Sequence, residues 1–228
     1  MNAGDPRTSY RVVGRRTAGY RLCRWIFETV VGGWFRPQVS GGEHVPATGA
    51  VILAPVHRSF ADFGFNAFVT DRKLFFMAKA ELWENRLLGK VLDALGAFPV
   101  RRTGADREAL RRAEAVLAAG EVLVLFPEGT RQTGPDVAQL LEGAAFLAAR
   151  TGAPIVPVGI GGSGEAMPKG TRIPKRLPIR LVVGEPLTPP AGAGTGRVPR
   201  SAVHATTEAL RQAIQKVYDE AEASGAPA

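Results

Sequence analysis

The stretch Pro55-Val56-His57-Arg58-Ser59-Phe60-Ala61-Asp62-Phe63 sets a carboxylate five residues after one of only three histidines in the chain. A carboxylate that accepts from one imidazole nitrogen fixes the tautomer and leaves the other nitrogen free to take a proton. His57 and Asp62 are therefore candidates for a general base and its orienting partner. A hydroxyl next to such a base gives up its proton as it attacks a carbonyl, with a typical gain of ~10²–10⁴ in rate. A plainer reading fits the same residues. Ser59-x-x-Asp62 matches a capping box, in which Ser59 caps a helix and Asp62, at its third position, reaches back. The two readings are compatible, because a capped helix holds Asp62 rigidly.

The protein supplies no obvious nucleophile. Ser59 lies close to His57, but no G-x-S-x-G elbow surrounds it. Cys23, the single cysteine, sits in an arginine-rich segment far away in sequence. The attacking hydroxyl is thus expected to belong to a substrate. Phe126-Pro127-Glu128-Gly129-Thr130-Arg131 offers a way to hold one. Gly129 permits close backbone approach, and Thr130 and Arg131 are donors to a phosphate. Arg101 adds a second guanidinium. Hydrogen bonds to charged groups contribute roughly 1.5–3 kcal/mol each, so two arginines separate weak from micromolar binding of a phosphomonoester. Arg101 and Arg102 also read as a solvated basic turn. Glu128 also reads as an ion-pair partner of Arg131 or Arg101 that shapes the loop.

These residues need a frame. Val51–Ala54, Phe98–Val100, Val122–Phe126, Ile155–Val158 and Ile179–Val183 are short apolar runs bounded by Gly or Pro, as buried parallel strands are. Helical periodicity occupies Glu81–Leu95, Asp106–Ala119, Leu140–Arg150 and, near the end, Ser201–Ala221. Gly96, Gly120 and Gly152 stand where helix stops are expected. The alternation predicts an α/β fold with a mostly parallel central sheet and helices on both faces. Ligands of open parallel sheets bind beyond the carboxyl ends of the strands. His57, Arg101 and the Phe126–Arg131 loop all follow strands, so they are expected on one rim, with Arg101 at the strand end next to the loop.

With 228 residues, 45% hydrophobic, the chain can bury a full core. Its net charge of +8 favours polyanions. Nucleic acid is excluded as a partner, since no basic stripe with interleaved aromatics and no recognition motif is present. No Cys/His cluster has metal-ligand spacing. The arginine-rich start does not read as a signal peptide. The apolar run Trp25–Phe35 contains Glu28 and falls short of the ~20 residues a bilayer core needs.

The motifs resemble those of the lysophosphatidic acid (1-acylglycerol-3-phosphate) acyltransferases, within the glycerolipid acyltransferase superfamily. His57 and Asp62 match H-x4-D. Gly96, Phe98 and Arg101 match G-x-F-x-x-R. Phe126–Arg131 matches F-P-E-G-T-R in full, and Ile155-Val156-Pro157-Val158 matches the last, apolar motif. The likeness covers about residues 40–188. Val56 replaces a common Asn, Gln132 a common Ser, and Leu141 and Glu142 stand where basic residues are frequent. The resemblance implies an O-acyltransferase of phospholipid synthesis. Its acyl donor would be acyl-CoA or acyl-carrier protein, and its acceptor the free hydroxyl of 1-acylglycerol-3-phosphate. His57 would be the base and Asp62 its orienter. Arg101, Glu128, Gly129, Thr130 and Arg131 would hold the glycerol phosphate, with Ser59, Phe98 and Pro127 supporting, and no cofactor or metal. Alternatives are glycerol-3-phosphate or another lysophospholipid as acceptor, a thioesterase, or a non-catalytic phospholipid-binding module.

Lipid substrates require contact with a membrane. Residues 20–36 align Leu22, Ile26, Val30 and Gly33, flanked by Phe27, Val31 and Trp34, with Arg21, Arg24 and Glu28 opposite. This suits an interfacial amphipathic helix. Trp25, Ile26, Phe27, Trp34 and Phe35 are the expected contacts with an anionic lipid surface at the cytoplasmic face, peripheral or monotopic. The competing reading is a helix packed on its own domain. Lys169, Arg172, Lys175 and Arg176 form a second basic stretch. The expected organisation is a basic, amphipathic segment over 1–39, the acyltransferase domain over 40–188, and a linker with a packed helix over 189–228.

Overall fold

Every residue of the strand Val51–Pro55 is buried, and so is every residue of Ile155–Gly161. Successive side chains of a strand point to opposite faces, so this sheet is covered on both sides. The computed structural model describes residues 18–100, 106–168, 170–171, 173–189, 192–193 and 198–223. Among them the strands are β1 (Gln38–Ser40), β2 (Val51–Pro55), β3 (Leu74–Lys79), β4 (Ala97–Val100), β5 (Val122–Val124), β6 (Ile155–Gly161) and β7 (Arg180–Val183). They form one sheet in the order β1-β7-β6-β2-β5-β3-β4. The helices are α1 (Ala18–Phe35), α2 (Asp62–Phe65), α3 (Arg86–Ala94), α4 (Arg107–Ala118), α5 (Gly143–Thr151), α6 (Ser163–Ala166) and α7 (Arg200–Ala223). The α/β fold with a mostly parallel sheet and an N-terminal helix is the expected one.

The five expected strands are present as β2, β4, β5, β6 and β7. The last departs from the parallel rule: β7 runs antiparallel to β6 and parallel to β1. Two strands escaped the sequence reading. β3 runs without a Gly or Pro boundary into the next helical pattern, and all three residues of β1 are exposed, leaving no apolar signal. Residue 39 lies inside β1, paired with Leu181 of β7.

The helical pattern over Glu81–Leu95 is two pieces, a 3-10 turn (Ala80–Glu84) and α3. Asn85 separates them, accepting from the Leu87 and Leu88 N–H groups as an N-cap. Asp106 caps α4 in the same way, and Gly152, left-handed at φ 73°, ends α5. Leu140–Glu142 precedes α5 instead of forming its first turn.

α4, α5 and α7 touch in sequence as one layer, with α4 on β4 and β5, α5 on β2 and β6, and α7 on β6 and β7. α7 lies directly on the β6 backbone. A β-carbon at Gly159 would collide with the Val217 carbonyl, and one at Gly161 with the Ala221 carbonyl. Gly159→Ala should therefore force α7 off the sheet and lower stability by about 1–3 kcal/mol, the usual cost of overpacking. Denaturant midpoints of the variant and the parent measure it, and unchanged midpoints would contradict this contact.

Candidate active site

β2 pairs in parallel with β5, placing Val51 beside Val122 and Leu53 beside Val124. Both chains therefore leave the sheet at the same rim. The pairing extends one step further, since the Leu125 N–H donates to the Leu53 carbonyl at 2.9 Å. His57 follows β2 and the Phe126–Arg131 loop follows β5, so the two motifs meet.

The meeting is made by hydrogen bonds. The His57 N–H donates to Glu128 Oε2 at 2.8 Å, and the Gln132 N–H donates to the His57 carbonyl at 2.9 Å. The His57 ring lies over Phe126, with centroids 4.2 Å apart. Its Nδ1 is 3.1 Å from Asp62 Oδ2. A carboxylate only accepts, so Nδ1 carries the proton and Nε2 is the acceptor in the neutral ring. Nε2 has no partner among the described residues, and the side chain is 16% exposed. The ring is oriented on one side and open on the other.

Asp62 is fully buried and serves both sequence readings with one oxygen. Oδ2 accepts from the Arg58 N–H and the Ser59 N–H, each at 2.6 Å, and from His57. The carboxylate arm of the capping box is thus formed. The hydroxyl arm is not: Ser59 Oγ accepts from the Ala61 N–H and donates to the Met167 carbonyl. The helix itself starts at Asp62, so Ser59 is a turn residue and not its cap. Asp62 Oδ1 is buried without a partner among the described residues.

Glu128 points inward. Its side chain is wholly buried and accepts from Arg58 Nη1 with both oxygens at 2.9 Å, from the His57 N–H and from the Ala138 N–H. Among the described residues the ion pair is therefore with Arg58, and not with Arg131. Gly129 is left-handed at φ 71°, and a β-carbon there would lie 2.7 Å from Leu141 Cδ1. Thr130 is exposed, and Arg131 is partly exposed with no ion pair to a described residue. Pro127 is buried, and its carbonyl accepts from the Leu141 N–H. Phe98 lies in the core of β4, away from the rim surface.

Arg101, Arg102, Lys169 and Arg172 fall outside the described residues. β4, which leads to Arg101, ends on the same rim, but β3 stands between it and β5. At ~4.8 Å per strand, the end of β4 is on the order of 10 Å from that of β5. The strand that leads to Arg101 is therefore not the neighbour of the loop's strand, contrary to the expectation from the sequence.

Arg58 is the residue the sequence reading missed. It is 5% exposed, joins Glu128, donates from Nη2 to the Asp136 carbonyl, and stacks on Tyr218 of α7 at 4.8 Å. Burial raises the Tyr218 hydroxyl above its ordinary pKa, Glu222 raises it further, and Arg58 opposes both. Gln215 of α7 bonds the loop as well, accepting from the Val137 N–H and donating to the Pro135 carbonyl. The available signal was the acidic side chain inside an apolar strand-to-loop motif, which requires a buried cation.

α1 presents the expected apolar row outward, with two exceptions. Leu22, Trp25, Ile26, Val30 and Trp34 are exposed, with Trp25 at 63%. Phe27 and Phe35 face the domain, against Phe68 and Phe65, and are withdrawn from the outer face. Arg24 is buried too, donating to the Ala67, Thr70 and Arg72 carbonyls and to Glu28. Arg176 lies over Trp34 at 5.9 Å.

Residues 36–161, more than half of the chain, match the family model described as Acyltransferase, and the chain belongs to that family. It is 29% identical over 200 residues to the 1-acyl-sn-glycerol-3-phosphate acyltransferase of Bacillus subtilis, covering 87% of this chain and 96% of that protein. It is 25% identical to the chloroplastic 1-acyl-sn-glycerol-3-phosphate acyltransferase BAT2 of Brassica napus, covering 68% of this chain and 46% of the longer plant protein. The fold is similar to the crystal structure of the 1-acyl-sn-glycerophosphate (LPA) acyltransferase PlsC from Thermotoga maritima. That match has a TM-score of 0.68 and 21% identity, over 90% of this chain and 84% of the other. The protein is an O-acyltransferase.

Asp62→Asn separates capping from orientation. An asparagine oxygen can still accept the three N–H groups at the Oδ2 position, with its amide in the unpartnered Oδ1 position. Melting temperature should shift little, while turnover should fall by about 10²–10⁴ as the charge behind the base is lost. Steady-state kinetics beside a thermal melt reads both, and full turnover would leave Asp62 as a turn residue only.

Proposed function

We propose that this acyltransferase transfers a fatty acyl chain from acyl-CoA or acyl-carrier protein to the free hydroxyl of 1-acylglycerol-3-phosphate, forming phosphatidic acid at the cytoplasmic face of a membrane. The observation that carries the reading is a histidine oriented through Nδ1, with Nε2 open, beside a loop whose Arg131 has no ion-pair partner among the described residues. The names of the bacterial and plant relatives, both 1-acyl-sn-glycerol-3-phosphate acyltransferases, support the same acceptor.

In the reaction, His57 Nε2 takes the hydroxyl proton as the substrate oxygen bonds to the thioester carbon. The tetrahedral intermediate expels the thiolate, and His57 returns the proton to it. Asp62 holds the ring while it is charged. Arg131, together with Arg101, attracts the phosphate, and Gly129 and Thr130 let it approach the loop. Glu128 contributes by holding this loop. No cofactor enters the scheme.

The membrane reading rests on α1. Its outer face carries Leu22, Trp25, Ile26, Val30 and Trp34, and Arg176 adjoins Trp34. Apolar residues with a basic margin suit anionic lipid. No helix among the described residues is long and apolar enough to cross a bilayer, so contact would be peripheral or monotopic.

Thiol release from acyl-CoA, measured with and without 1-acylglycerol-3-phosphate and with product masses, tests the transfer. Acceptor-stimulated release and phosphatidic acid are expected. Acceptor-independent release would indicate a thioesterase, and silence with tight lipid binding a binding module. His57→Ala should remove nearly all turnover from a folded protein. Separately, Trp25→Ala with Trp34→Ala should weaken binding to anionic vesicles by about tenfold or more, given ~1.5–3 kcal/mol per buried large side chain. Sedimentation of the folded variant with vesicles measures this, and unaltered binding would reject α1 as the contact.

A further inference from the structure

We propose that Arg58 and Glu128 are a buried positioning pair for the base, holding the backbone of His57 instead of the substrate's phosphate. The proposal rests on the reading of His57 as the base.

Neither side chain reaches the substrate side. The Arg58 side chain is 3% exposed and that of Glu128 is 0% exposed. Among the described residues, all the acceptor contacts of Glu128 are internal: Arg58 Nη1 on both oxygens, the His57 N–H on Oε2 and the Ala138 N–H on Oε1. A carboxylate facing a phosphate would repel it, and here it faces a guanidinium. Arg58 Nη1 also approaches the His57 carbonyl at 3.3 Å, the same oxygen that accepts from the Gln132 N–H. The peptide groups on both sides of the His57 Cα are therefore tied to this pair or to the loop it holds.

This tether determines where the ring can be. Asp62 and Phe126 set the ring's orientation, but the ring pivots on its own backbone. If that pivot moves, Nε2 moves with it. A displacement of about 1 Å at a reacting group can cost ~10²-fold in rate. Stability alone is a weak reason for the pair, because buried ion pairs are often no more stabilising than apolar groups of the same size. Arg58 reaches further, to the Asp136 carbonyl and to the Tyr218 ring on α7. One guanidinium thus joins the histidine segment, the phosphate loop and the C-terminal helix.

The experiment compares Arg58→Met, Glu128→Gln, the double variant and Arg58→Lys with the parent and with His57→Ala, using acyl-CoA and 1-acylglycerol-3-phosphate. Each of Arg58→Met and Glu128→Gln should lower kcat by about 10²-fold, with both KM values near those of the parent. Arg58→Lys, which keeps a cation, should recover part of kcat. The double variant has no lone buried charge, so its melting temperature should return toward the parent's. Its kcat should stay low, because an amide has one acceptor oxygen where the His57 and Ala138 N–H groups use one each. If a single variant does not fold, the double variant and Arg58→Lys still decide. A raised acceptor KM with kcat preserved in Glu128→Gln would overturn the proposal in favour of phosphate binding. A kcat that recovers together with the melting temperature in the double variant would overturn it in favour of a purely structural pair. An active His57→Ala would instead sink the base assignment. An inactive His57→Ala beside fully active pair variants would sink the positioning role alone.

Discussion

The bond from the His57 N–H to Glu128 joins residues 71 apart in the chain, and much of the site depends on it. It forms only because β2 and β5 are parallel neighbours that end at one rim. The donor is a backbone group and the acceptor a charged side chain with no exposure, so water does not compete for it. With the bond from Gln132 it makes the imidazole's anchor part of the loop that would hold the substrate. A base and an anion pocket on separate mobile loops would have to find each other at every turnover. Here the relative position of His57 and the Phe126–Arg131 loop is set by folding.

Much of this was legible in the sequence, for identifiable reasons. His57 and Asp62 lie five residues apart, and a short turn can close that distance by itself. The Phe126–Arg131 loop announces itself through a glycine flanked by Glu128, Thr130 and Arg131 after an apolar run. Arg58 was illegible because its burial is decided at long range. Tyr218 lies over it and Glu128 lies against it, and nothing near residue 58 encodes either contact. Strand order was equally hidden. Apolar runs give the existence of strands, but β3 comes between β5 and β4 only through sheet pairing. The capping box was legible in half: the carboxylate arm forms, and the serine arm is drawn to Met167, over a hundred residues away.

α1 shows how a periodic pattern gives the outward face but not its edges: Leu22, Trp25, Ile26, Val30 and Trp34 are exposed as expected, whereas Phe27 and Phe35 turn inward. Charged residues ordinarily mark the solvent side of a helix. Arg24 does the opposite, because its guanidinium meets three carbonyls from the segment 67–72 that would otherwise lack donors. The helix is thus tied down partly by polar contacts, with Phe27 and Phe35 completing the inner face. The apolar residues left over, with two tryptophans among them, remain exposed, although Arg176 lies over Trp34.

The contact of α7 with the glycines of β6 has a consequence for biosynthesis. The ribosome delivers β2 and its histidine early, yet β2's neighbours β5 and β6 emerge much later, and Tyr218 later still. Pairings so distant in sequence are slow to form. A nascent chain therefore carries His57 without its bracket and leaves the face of β6 that α7 covers open to water or to chaperones. The contact between Arg58 and Tyr218 is thus made only when α7 docks.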